Sequence, residues 1–99
     1  MKRFAILFLA LGACASAHVP EPLPVDAGGD PAVLARMVEG RRVYVAKCGA
    51  CHRLYSVEAY GDAAWEQHVG EMIRLKKLRL AAEERGAILA YLQRLNGRE

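Results

Sequence analysis

The sequence predicts an all-α fold, and three observations carry that prediction. Apolar residues recur at helical i, i+3, i+4 spacing in three stretches between positions 31 and 97. Start and stop signals bracket these stretches: Asp30-Pro31 before the first, Asp62 before the second, Asn96-Gly97 after the third. No run of residues alternates apolar and polar in the way a half-buried strand requires.

Residues 1–17 read as a targeting segment. Lys2 and Arg3 form a charged start, and Phe4 to Leu11 is an apolar run too short to span a bilayer. Two processing routes compete. Cleavage after Ala15-Ser16-Ala17 releases a chain beginning at His18, whereas Leu11-Gly12-Ala13-Cys14 is similar to a bacterial lipobox, which puts a lipid on Cys14. The second route accounts for a cysteine at the end of the apolar run. Both lead out of the cytoplasm, so the expected location is the periplasm, free or tethered to the membrane through Cys14. Residues 18–31 hold all four prolines and two of the nine glycines, and read as a linker that is semi-rigid in its proline half.

The domain proper is expected over residues 32–97. Its first helix runs from about Pro31 to Lys47, with Asp30 as N-cap and Pro31 at the tolerated first position. Val33, Leu34, Met37, Val38, Tyr44 and Val45 supply the apolar spacing, with Arg41 as the polar break. A loop follows over 53–61. The second helix starts at Asp62, an N-cap after Gly61, and runs to about Lys77, with Trp65, His68, Val69, Met72 and Ile73 on one face. The third runs from about Ala81 to Leu95. Ile88, Tyr91, Leu92 and Leu95 form its stripe, and Glu83 and Glu84 complement the dipole at its start. A domain this short buries little core and commonly needs a staple.

Cys48-Gly49-Ala50-Cys51-His52 indicates what that staple is. Two thiols three residues apart can each add across one vinyl group of the same porphyrin, and the histidine that follows is then held under the iron as its proximal ligand. With three Cys and three His in 99 residues, the chance expectation for the pattern is about 0.003. A thiol-redox CxxC needs a βαβ surround, and a zinc site needs a second ligand pair where only His68 stands. The motif therefore reads as a covalent attachment site for one haem c, through Cys48 and Cys51, with His52 on the iron. Charge adds little. The formal net of +3 falls to +1 without Lys2 and Arg3, and two ionised propionates bring it to about −1, which makes no general case for a nucleic-acid partner.

Gly40-Arg-Arg-Val-Tyr44-Val-Ala-Lys-Cys48-Gly-Ala-Cys51-His52 resembles the G-x-x-x-[FY]-x-x-x-C-x-x-C-H segment of small class I c-type cytochromes. Glu83-Glu84-Arg-Gly-Ala-Ile88-Leu-Ala-Tyr91-Leu92 is similar to that family's closing helix, and Trp65-x-x-x-Val69-x-x-Met72 to a compact subgroup. The resemblance covers about 37–95. It implies a compact cytochrome c-like fold of three main helices around one covalent haem, with the first and last helices crossing at Gly40 and with Tyr44 and Tyr91 nearby. A glycine inside a helix costs about 1 kcal/mol against alanine, so it often marks a close crossing. The sequence departs from the family at three places. Ile73 follows Met72 where the family has proline, Ala81 stands where a Ser or Thr cap is common, and no proline lies between His52 and Met72.

The second axial position decides the function. The resemblance favours Met72, whose thioether raises the potential of the iron; a methionine on an apolar helix face otherwise fills core. His68, one turn earlier on the same face, is the alternative ligand. Trp65 is expected in the haem pocket with its indole N–H on a propionate, and Tyr55 and Tyr60 are candidates for the same contact. Arg74, Lys76, Lys77 and Arg79 form a basic cluster suited to an acidic partner or to a solvated helix end. The resulting expectation is a non-enzymatic carrier of single electrons in transient contact with redox partner proteins. The alternatives are a gas-binding or peroxide-reactive haem with an open distal site, and a fixed electron-entry subunit of a larger oxidoreductase.

Overall fold

The structure, a computed structural model, describes residues 17–49 and 53–97. Among these residues the chain is all-α, with no strand. The α-helices are α1 (Pro31–Val43), α2 (Asp62–Leu75) and α3 (Ala82–Leu95). Short 3₁₀ turns occupy Pro24–Ala27 and Val57–Ala59, and a π-helical turn, Tyr44–Cys48, continues α1. No helix among the described residues is long and apolar enough to cross a membrane.

Asp30 caps α1, its Oδ1 accepting from the Ala32 N–H at 2.9 Å. The sequence suggested one regular helix to Lys47, but after Val43 the winding loosens into the π turn. Both ends of that turn are anchored from outside. The Tyr44 hydroxyl donates to the Tyr55 carbonyl at 2.6 Å. Lys47 Nζ donates to the Arg79 carbonyl at 3.1 Å and to Glu84 Oε1 at 3.2 Å.

α1 and α3 form the main interface, and Gly40 is its closest point. A Cβ at position 40 would fall within the backbone carbonyl of Ala87, so only glycine lets the axes approach this far. Met37, Val43, Tyr44, Trp65, Ile88, Tyr91, Leu92 and Leu95 are almost wholly removed from solvent around this crossing. Tyr44 and Trp65 meet edge to face with centroids 6.0 Å apart, an arrangement that suits the ring quadrupoles.

The start of α2 differs from the sequence expectation. Gly61 is the N-cap and Asp62 the first helical residue. The Asp62 carboxylate is taken by Asn96, whose Nδ2 donates to Oδ1 at 2.5 Å, while Gln93 Nε2 donates to the Asp62 carbonyl at 2.9 Å. These bonds fasten the beginning of α2 to the end of α3. α2 stops at Leu75, two residues short of Lys77, because Lys77 takes a left-handed φ of 60°. The Met72 carbonyl there accepts both the Lys76 and Leu78 N–H groups, at 3.1 and 3.2 Å. Ala81 has no side-chain acceptor to cap α3, but Glu84 Oε1 reaches back to the Ala81 N–H at 3.0 Å.

Residues 18–31, expected as a linker, are docked on the helices instead. The Tyr91 hydroxyl donates to the Pro20 carbonyl at 2.5 Å, Arg41 Nε to the Val19 carbonyl at 3.0 Å, and Arg94 Nη1 to the Asp26 carbonyl at 3.3 Å. The His18 N–H donates to Ser56 Oγ at 2.8 Å, and the His18 carbonyl accepts from the Val57 N–H at 2.9 Å. A proline-rich segment leaves its carbonyls without helical partners, and side chains far away in sequence supply the donors. Ala27 is buried at the far end of this strap.

Candidate functional site

The π turn and α2 face each other across a small apolar cleft. Tyr44 and Cys48 come from the turn, Tyr55 from the following loop, Trp65, His68, Val69 and Met72 from α2, and Leu78 from the segment after it. The cleft is largely enclosed and nearly filled by its own side chains, with a cavity volume of about 10 Å³. Cys48 is buried at 6% exposure and Met72 at 8%. Met72 is not part of the contiguous core that joins the helices, although Val69 one turn earlier is. The helical spacing that puts Trp65, Val69 and Met72 on one buried face thus brings all three to the cleft, and the first two to the core as well.

Trp65 lies in this site as the sequence suggested, but its indole N–H has a different partner. Nε1 donates to the Val57 carbonyl at 2.9 Å, inside the protein, so no N–H remains for a propionate. A fully buried indole must find an acceptor, and the 3₁₀ turn at Val57 offers one. Around it stands an aromatic group. Tyr60 stacks on His68 at 4.9 Å and 25°, and Tyr60 and Tyr55 present edges to Trp65 and His68 respectively. His68 is half-buried among these rings.

Burial pushes the Tyr44 hydroxyl far above its ordinary range, with the nearby Cys48 adding to the effect, so this side chain stays a neutral donor to the Tyr55 carbonyl. Glu84 is held below the usual carboxylate range, first by the Ala81 N–H and then by Lys47. This charge supports the turn that carries Cys48 without entering the cleft.

Cys51, His52 and Cys14 lie outside the described residues. Among those described, no three His, Cys, Asp or Glu side chains gather as a metal-holding group. The cleft does bring together a thiol, a thioether and an imidazole, from Cys48, Met72 and His68, on an apolar lining. That donor set fits a haem iron and its thioether links, being soft sulfur and imidazole nitrogen. The cavity volume is only about 10 Å³, far below the range of about 300–1,000 Å³ usual for ligand pockets, so a flat macrocycle enters only if the lining side chains move apart. Leu78 was not anticipated as part of the site. Its signal is the helix stop at Lys77, which turns the chain back over Met72. The basic residue Arg74 lies elsewhere, in a wide, shallow groove with Glu66, Glu71 and Arg85.

Comparison with protein-family models, with curated proteins and with solved structures returns no match for this chain.

Proposed function

We propose that the protein is an exported monohaem c-type cytochrome, tethered to a membrane through a lipid on Cys14, that passes single electrons between partner proteins. The observation that carries this reading is the convergence of Cys48, Met72 and His68 on one apolar cleft, with the Cys51-His52 pair directly following in sequence. A haem held there would supply one-electron chemistry at its iron. Cys48 and Cys51 would hold the group covalently, and His52 would offer its imidazole to the iron. Met72, which lines the same cleft as Cys48, would offer its sulfur as a second ligand. Trp65, Val69 and Leu78 keep water out, which strengthens every electrostatic interaction in the cleft. No side chain is asked to act as nucleophile or general base.

His68 is the second reading for the distal ligand, favoured by its place in the same cleft one turn before Met72. Visible absorption of the purified ferric and ferrous protein distinguishes the possibilities. The expected result is a near-red sulfur-to-iron band in the ferric form that disappears in Met72→Ala and survives in His68→Ala. The reverse pattern assigns His68. Rapid carbon monoxide binding to the untreated ferrous protein overturns the carrier reading, and a purified exported protein without covalent haem overturns the class. Mass spectrometry of the mature N-terminus checks the tether: a free His18 terminus rules out lipidated Cys14.

A further inference from the structure

The docked strap determines how far the domain can stand from its anchor. His18 is pinned through both its N–H and its carbonyl to Ser56 and Val57, and Val19 and Pro20 are held by Arg41 and Tyr91. Between Cys14 and His18 lie only Ala15, Ser16 and Ala17. Four peptide steps span at most about 14 Å when fully extended. That reach is shorter than the domain is wide, so whichever face surrounds Ala17 has to meet the headgroup layer.

This face has the chemistry for it. The groove beside Ala17 is lined by Val19, Arg41, Val45, Arg53 and Leu54. The adjoining one adds Val38 and Arg42. Val38 and Val45 are apolar yet 52% and 41% exposed. The acidic groups on this side are Glu21, Glu58, which meets the His18 imidazole, and Glu39, which Arg42 engages with two bonds of 2.8 and 2.6 Å. Exposed aliphatic side chains among arginines suit a bilayer boundary that carries anionic headgroups.

We propose that the face formed by Val38, Arg41, Val45 and Arg53 lies flat on the anionic membrane surface that anchors Cys14. The inference rests on the tethered reading above. Gly49 lines the same groove, so the residue that follows Cys48 is on the membrane side, while the cleft of Cys48 and Met72 has a lining of its own. The test uses the full haem-loaded chain, shown by mass spectrometry to be lipidated, in vesicles of phosphatidylethanolamine and phosphatidylglycerol. A nitroxide is placed by Val45→Cys or, for comparison, by Glu66→Cys on α2, and its collisions with a water-soluble nickel chelate are measured. The expected result is a several-fold loss of access at 45 relative to the unlipidated Cys14→Ser chain, with little change at 66. Full access at 45 in the lipidated chain, or equal loss at both positions, overturns the orientation while leaving the tether intact. A mature chain that carries no lipid overturns the tether itself, and with it this placement.

Discussion

Gly40→Ala adds one methyl group at the point where α1 and α3 come closest. The obstacle it meets is the Ala87 carbonyl, which is backbone and cannot rotate away, so the helices have to part. Overpacking of this kind costs about 3 kcal/mol at the upper end of the usual range. Alanine returns about 1 kcal/mol of helix propensity. The net loss is about 2 kcal/mol, which in a domain of this size lowers Tm by about 8–16 °C. Gly70→Ala in α2 is the matched control, because its Cβ would meet only the Arg85 guanidinium at 3.5 Å, an ordinary contact. That variant is expected to gain up to about 1 kcal/mol from propensity alone. Thermal and urea unfolding followed by far-ultraviolet circular dichroism measures both. If Gly40→Ala matches or exceeds the parent chain, or if Gly70→Ala falls equally far, the close crossing is not what requires glycine at 40.

Trp65→Phe leaves the Val57 carbonyl without its donor inside the protein and should cost about 1–3 kcal/mol in urea unfolding; a change under about 0.5 kcal/mol, the usual scatter of surface substitutions, would contradict the bond's role. Lys77→Gly relieves the left-handed φ of 60° and should raise stability by about 1 kcal/mol, with no change expected when Lys76 is replaced by alanine. Glu84 has a folded-state pKa depressed below its unfolded value. Its contribution is therefore present above the unfolded pKa and disappears as pH falls through the folded one. The stability gap between the parent chain and Glu84→Gln should accordingly close on acidification below about pH 4, and a gap that persists at pH 2 would exclude the carboxylate as its source.

What could be read before the fold was seen follows a physical division. Asp30 capping α1, and Trp65, Val69 and Met72 on one face, depend on residues within a few positions of one another, and local spacing carries them. Gly40 was legible for a different reason, since a glycine inside a helical stripe is costly unless something approaches it. The strap was not legible. Its bonds join Pro20 to Tyr91 and His18 to Ser56, and nothing in a proline-rich stretch announces which distant donor will meet it. The partner of the Trp65 indole is illegible on similar grounds: helical spacing carries its burial, but not which carbonyl lies within reach. The loosened turn at Tyr44–Cys48 also escapes periodicity, because its stripe positions stay the same while anchors at Tyr55, Arg79 and Glu84 reshape the backbone between them.

The bond from Tyr91 to Pro20 closes a loop of some seventy residues, and the Gly40–Ala87 crossing closes another of nearly fifty. A chain made or exported from its N-terminus presents the strap and α1 long before α3 exists to receive them. Loops of this length form late and slowly. Until residues 87–95 arrive, the strap carbonyls and the buried face of α1 have no permanent partner. Folding thus has a time window written into the topology. The last helix shuts it, and a chain truncated before Ala87 would keep it open.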